Sequence, residues 1–389
     1  MAKKALILAN TGGFCSFLLQ DMDLLREKGY QVTVAANGKN HNWEDTREKL
    51  ERRGLTLRQI DFNGRSPLAK ENLQAAKQLQ ALLKEDHYDL IHCHTPVVGL
   101  VTRLLTGKAR RRGTKVLYTT HGFAFTRYSS RKERLIYRTI EMLGAHRGDG
   151  IITINREDFE AAGELGGGKV FYIPGVGLDI EKYSQIEIDR QAMRCDLGIT
   201  DDQILVLSVG EICPRKNHGI LIDAIARLPD KERYVLMICG SGEHTQLGQQ
   251  LRQSAQNQGV KLMLMGFRRD IPQLTHCSDI GAIPSLREGL GMAGLQSLCA
   301  GVPLAGSRIQ GICDYIEEGK TGFLCHPQKA EDFAAAIEKL SDPALRESMA
   351  PACRETATKF RKELSRAHME TIYGMTLGWS RQEETKHEG

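Results

Sequence analysis

The sequence contains no uninterrupted apolar run approaching the ~18 residues of a membrane-spanning helix, so no helical span is expected. Its ten cysteines are scattered without one Cys-x-x-Cys pair, which leaves neither a disulfide framework nor a zinc site indicated. The loop after the first apolar run lacks Gly-x-Gly-x-x-Gly, which disfavours a nicotinamide-dependent oxidoreductase. No nucleic-acid-binding motif is present, and no internal repeat beyond the similarity of the two halves. What is there is ordinary globular composition: 389 residues, 41% hydrophobic and 26% charged. At ~150 residues per domain, that length suggests two or three domains.

The N-terminus, Met1-Ala2-Lys3-Lys4 before the apolar residues 5–9, resembles the start of a signal peptide. The run is short, and the turn residues Asn10, Thr11, Gly12 and Gly13 follow at once, so a first buried strand is the better reading. The chain reads as cytoplasmic. Its net charge is only +5, yet residues 101–140 hold eleven Lys and Arg against the single acid Glu133. Such a stretch predicts a polyanionic partner, with a merely solvated basic face as the alternative.

Short apolar runs alternate with segments of helical spacing along nearly the whole chain. Strands are expected at 5–9, 32–36, 55–60, 90–93, 115–120, 150–154 and 170–173. The rhythm stalls over 174–200 and restarts at 204–209, 235–239, 261–265, 280–284, 302–305 and 322–324. This βαβ alternation implies an α/β protein with two parallel sheets, each covered by helices and carrying its ligand loops at the C-terminal strand ends. The expected divisions are 1–180, 181–355, a C-terminal helix over 356–379 and a disordered tail over 380–389.

The densest chemical signal is Pro284-Ser285-Leu286-Arg287-Glu288-Gly289-Leu290-Gly291-Met292. Glycines admit a ligand close to the backbone, and free N–H groups at a helix start attract phosphate. Glu288 lies beside that anion site, placed to accept hydrogen bonds from sugar hydroxyls. Other elements recur in step with it: Leu207-Ser208-Val209-Gly210-Glu211 with Arg215-Lys216-Asn217-His218, then Ile238-Cys239-Gly240-Ser241-Gly242 and Gly266-Phe267-Arg268-Arg269-Asp270. In the first half stand Ile91-His92-Cys93-His94-Thr95-Pro96, Thr120-His121-Gly122-Phe123 and Ile173-Pro174-Gly175-Val176-Gly177.

At these residues the sequence resembles the retaining glycosyltransferases of family 4, in their bacterial exopolysaccharide branch. The resemblance covers roughly residues 1–340. It implies the GT-B fold, two Rossmann-like domains facing across a cleft, with the C-terminal helix returning to the N-terminal domain. It implies a metal-independent hexosyl or N-acetylhexosaminyl transferase with no cofactor beyond its nucleotide-sugar donor, which is expected to be UDP-linked. Arg215 and Lys216 would bind the donor diphosphate, assisted by the N–H groups of Gly291 and Met292. Glu288 would hold hydroxyls of the transferred sugar, and His121 would reach it from the other domain. Gly12 and Gly13 would give the diphosphate room, Gly210 would border the donor, and Arg268 would lie near the nucleobase. Gln296 stands where the family usually has a ribose-binding glutamate, a weaker partner for a hydroxyl.

The acceptor expected from the resemblance is a glycan, often linked to polyprenyl diphosphate. Phe123, Arg127, Arg131, Lys132 and Arg134 form an aromatic loop leading into a basic amphipathic stretch. That pattern suits an acceptor site or docking on an anionic membrane, placing the protein at the inner face. Two other residue groups take plain structural readings. Asp21-Met22-Asp23 mimics a metal-binding Asp-x-Asp but falls in a predicted helix, so Asp21 reads as part of an exposed face. His92 and His94 lack a third ligand nearby and read as packing or hydrogen-bonding residues. The alternative functions are a nucleotide-sugar epimerase or hydrolase of the same architecture and a non-catalytic carbohydrate- or lipid-binding homologue.

Overall fold

A computed structural model of the chain describes residues 2–39, 43–64 and 69–379; the tail expected to be disordered lies outside them. By its internal contacts the chain divides into two compact units. One comprises the described residues up to Val176 and those from Glu363 onward; the other is Gly177–Lys362.

The first unit holds seven strands: β1 (Lys4–Leu8), β2 (Gln31–Ala36), β3 (Thr56–Gln59), β4 (Leu90–His94), β5 (Lys115–Thr120), β6 (Gly150–Thr153) and β7 (Lys169–Tyr172). They form one parallel sheet in the order β3-β2-β1-β4-β5-β6-β7. β4 is buried at every residue, as expected of a parallel strand with helices on both faces. Strand order reverses between β1 and β4, paired in the register Ala5↔Leu90 to Leu8↔Cys93. Connections leaving those two strands go to opposite faces, so their C-terminal ends flank the crevice where such sheets bind ligands.

Two segments of the first unit differ from the sequence expectation. Arg103, one of the eleven basic residues, lies inside the unit. Its guanidinium donates to Glu141 at 2.9 Å and to the carbonyl of Gly99 at 2.9 Å, and lies 4.1 Å from the Tyr118 ring centroid. Arg110 pairs with Asp149, Arg127 with Glu157 and Arg138 with Glu164. The basic run is therefore partly neutralised by acids that stand after residue 140. Phe123, expected at an acceptor or membrane surface, is fully buried and stacks on Phe125 at 5.1 Å. A buried ring in the core cannot contact a membrane.

The return of the C-terminal helix is seen. Helix Lys362–Leu377 sets Met369 and Tyr373 into the first unit. Glu370 pairs with Lys28 at 2.7 Å, Arg366 pairs with Glu27, and Trp379 packs against Tyr30.

The second unit holds β8 (Ile204–Val209), β9 (Tyr234–Cys239), β10 (Lys261–Leu264), β11 (Ile280–Ile283), β12 (Leu304–Ser307) and β13 (Gly322–Cys325). They form a parallel sheet in the order β10-β9-β8-β11-β12-β13, with the reversal between β8 and β11. β9 is wholly buried. Asp279 ties this unit's base together, accepting from Arg194 at 2.9 Å, Arg190 at 2.7 Å and the Leu205 amide at 2.8 Å.

Candidate active site

In the second unit the loops at the switch point converge on one carboxylate. After β8 the chain turns through Gly210 into the short 3-10 segment Pro214–Lys216 and then Asn217, whose φ of 56° is left-handed. Asparagine tolerates that region better than most residues. Its side-chain amide donates to the carbonyls of Pro284 at 3.2 Å and Pro327 at 2.8 Å, which ties this loop to those after β11 and β13. Leu286 N–H donates to the Arg215 carbonyl at 2.8 Å. The loop so fixed aims Lys216 Nζ at Glu288 Oε2, 2.6 Å away, with Arg215 3.2 Å from the same oxygen. A Cβ at Gly210 would stand 3.1 Å from Lys216 Cε, so glycine gives the lysine stem its path.

Glu288 is held from its other sides as well. Ser285 Oγ donates to it at 3.3 Å, and its own amide donates to Gln310 Oε1 at 3.3 Å. Burial alone would raise its carboxyl, but Lys216 and Arg215 outweigh this and hold it below the ordinary glutamate value. Gly291, at φ 78°, then starts helix Met292–Cys299, and Tyr315 donates to its carbonyl at 3.1 Å. A side chain there would be strained in backbone and would collide with that hydroxyl, 2.9 Å from the Cβ position. Two cations, a carboxylate and a helix start thus share one strand-end cluster. The cations and free N–H groups suit an anion, and the carboxylate suits hydroxyls.

Gln296 lies half-buried on the same helix. Arg268 follows β10 and is held by Asp270 through bonds of 2.8 and 2.5 Å, beside Phe267, whose ring is 65% exposed.

In the first unit the strand ends gather histidines. His94 closes β4 and His121 follows β5, and His94 Nδ1 lies 3.1 Å from His121 Nε2. His92, one pleat behind, is bonded at both nitrogens, to Tyr373 OH at 2.8 Å and to Thr119 Oγ1 at 2.7 Å. Burial lowers all three, His92 and His121 to about 3 and His94 well below its ordinary value, so the rings are neutral near pH 7. Phe14 meets the His121 ring edge-on at 4.7 Å. Gly12 is packed closely: a Cβ on it would stand 2.1 Å from the Trp43 ring.

A family model described as glycosyl transferases group 1 matches residues 189–356, and one described as a glycosyl transferase 4-like domain matches residues 12–175. EpsD of Bacillus subtilis, named as a glycosyltransferase, is 33% identical over 99% of this chain and 100% of its own length. The chain belongs to the GT-B glycosyltransferases of the exopolysaccharide type. This glycosyltransferase is also 28% identical to a UDP-Gal:α-D-GlcNAc-diphosphoundecaprenol α-1,3-galactosyltransferase of Escherichia coli, over 73% of the chain and 74% of the relative. Among solved structures, Anabaena HepE in complex with UDP-glucose matches it in fold with a TM-score of 0.77 at 20% identity, covering 96% of this chain and 99% of that one. Sucrose-phosphate synthase of Thermosynechococcus elongatus matches at 0.78 and 18% identity, over 97% and 100%.

The sequence reading of the glycosyltransferase missed or misread three groups. Asn217, Gln310 and Tyr315 hold the Glu288 cluster in place; the left-handed residue after the basic pair was the one local signal for Asn217. Trp43 had no sequence link to Gly12. Asp21 is not on an exposed face: it is half-buried and lines one small cavity with His94 and His121.

Proposed function

We propose that this glycosyltransferase moves a hexose or N-acetylhexosamine from a UDP-linked donor to a lipid-linked glycan acceptor, with retention of configuration and without a metal ion. The observation that carries the reading is the Lys216–Glu288–Arg215 cluster at the start of helix Met292–Cys299. Lys216, Arg215 and the first N–H groups of that helix supply fixed positive charge where a leaving diphosphate gains negative charge. Positive side chains can do this without a metal ion. Glu288, kept ionised, accepts hydrogen bonds from hydroxyls of the transferred sugar. His121, on the first unit, is the proposed partner of another sugar hydroxyl. No carboxylate is assigned as a covalent nucleophile, so the reading is front-face substitution. The acceptor oxygen forms its bond to the anomeric carbon as the carbon–phosphate oxygen bond breaks, and the leaving phosphate takes the acceptor proton.

UDP rests on HepE, solved with UDP-glucose, and the lipid-linked acceptor on the E. coli relative, whose name gives a diphosphoundecaprenol substrate. For the acceptor and membrane side, helix Arg131–Ala145 exposes Leu135 and Ile136, 70% and 46% accessible, beside exposed Arg131 and Lys132. A cavity of about 290 Å³ opens against it, lined by Phe125, Arg127, Arg134 and Arg138 among others. No helix among the described residues is long and apolar enough to cross a membrane. The proposal is docking from the inner side, through apolar residues flanked by cations.

Thermal protection by UDP-, GDP- and ADP-sugars tests the donor, and turnover with and without a chelator tests the metal. Protection by UDP-glucose or UDP-galactose, chelator-resistant transfer and an α-anomeric product by NMR are expected. Protection by a GDP- or ADP-sugar alone, or an inverted product, overturns the corresponding part. Release of free sugar or an epimer with no acceptor present would favour the hydrolase or epimerase instead.

A further inference from the structure

The proton on His121 is not fixed by His121 alone. Its Nε2 contacts His94 Nδ1 at 3.1 Å, and both rings are neutral, so that contact holds one proton. His94 is 1% exposed, and its other nitrogen, Nε2, is buried without a protein partner among the described residues. A buried polar atom of that kind calls for an explanation. Asp21, His94, Thr119, His121 and Ser365 line a space of about 10 Å³, close to the least that holds a single water. No side-chain hydrogen bond of Asp21 is found among the described residues. The charged and titratable groups facing it are Arg366, itself paired with Glu27, and Tyr373, both on helix Lys362–Leu377. His94 and His121, at the ends of β4 and β5, line the same cavity, with His92 behind them.

We propose that Asp21 and His94 are positioning residues that set which nitrogen of His121 carries its proton, acting directly or through one bridging water. The inference rests on the reading of His121 as a partner of the transferred sugar. With Asp21 ionised, His94 holds its proton on Nε2, toward the carboxylate. His94 Nδ1 then accepts from His121 Nε2–H, and His121 presents a bare Nδ1 lone pair. With Asp21 protonated, the acid donates to His94 Nε2, His94 Nδ1–H donates to His121 Nε2, and His121 presents Nδ1–H. The two states differ by one proton, released to solvent. The ionised state makes His121 an acceptor for a sugar hydroxyl, which leaves that oxygen more electron-rich as positive charge grows on the sugar ring. Burial pushes Asp21 up to about 7 against the opposing pull of Arg366, so both states are populated near neutrality.

The decisive measurement is ¹⁵N NMR of the full chain labelled at histidine, titrated between about pH 5.5 and 8.5. Imidazole nitrogens with and without a proton differ widely in shift. In the wild type, the His121 pattern should exchange between Nδ1–H and Nε2–H with the midpoint of the Asp21 carboxyl, followed by ¹³C. Asp21→Asn should hold one pattern across the range. His94→Leu, which neither donates nor accepts a hydrogen bond, should leave Asp21 titrating while His121 no longer follows it. Turnover should rise with pH in the wild type with that same midpoint and lose this limb in both variants, with UDP affinity unchanged. A His121 pattern that ignores pH while Asp21 titrates, or that still follows Asp21 in His94→Leu, overturns the proposal. Should His121→Ala keep wild-type turnover while the NMR behaves as expected, the sugar-contact reading fails and the proton relay stands.

Discussion

Lys216→Met keeps a stem of similar length and removes only the ammonium. That ammonium stands 2.6 Å from Glu288, and the two side chains are 16% and 17% exposed, sheltered enough that solvent screens them weakly. Two unit charges ~4 Å apart attract by about 4 kcal/mol at an effective dielectric near 20, so the interaction is large beside that of a surface pair. Arg215 remains at 3.2 Å, but its side chain is 40% exposed and makes a poor substitute. On the proposed chemistry the variant also loses one stabiliser of the departing diphosphate, about 2.7–4 kcal/mol or roughly 100- to 1000-fold in kcat. Glu288 adds a second signature. Without Lys216 the rise from burial is less opposed, so its carboxyl moves up and its ionised fraction falls first on the acid side. Activity should therefore fall at a higher pH in the variant than in the wild type. The assay is kcat at saturating UDP-sugar across pH, with UDP affinity by calorimetry and a melting curve to establish folding. A folded variant within about tenfold of wild-type kcat, with an unmoved acid limb, refutes the assignment of Lys216.

Four further outcomes are expected. His92 and His121 are lowered to about 3 by burial, so the unfolded chain binds more protons between about 6.5 and 3. Stability should fall as pH drops through that window. Asp21, raised to about 7, opposes this, because its share of stability is lost as pH rises. Urea midpoints that rise on acidification would contradict the balance. Gln296→Glu should tighten UDP-sugar binding by about 1 kcal/mol, roughly fivefold in Kd by calorimetry, and unchanged affinity would remove Gln296 from the ribose site. Arg131→Glu with Lys132→Glu should weaken binding to anionic vesicles at low salt by at least about 2 kcal/mol, roughly thirtyfold; equal binding would end the membrane proposal. Gly12→Ala should cost about 1–3 kcal/mol in chemical denaturation, because its Cβ would meet Trp43 at 2.1 Å. A neutral result would show that the indole moves aside freely.

The places of the thirteen strands among the described residues were legible from local apolar runs, most plainly for β8 and β9, because a parallel strand buried on both faces must be apolar nearly throughout. The Glu288 loop was legible for a related reason: a glycine that must be left-handed before a helix leaves its mark within a few residues. Side chains whose surroundings come from distant sequence were not legible. Asp21 looked exposed because the helix beside it, Lys362–Leu377, lies some 340 residues on. Arg103 looked like part of a basic face until Glu141 took it inside, and Phe123 like a surface ring until it stacked on Phe125. Gly12 carried no sign of its close packing against Trp43. Sequence spacing determines which residues can share a strand or a helix face. Only the packing of those elements decides which charge is neutralised, which acid is desolvated and which nitrogen is left to bind a ligand.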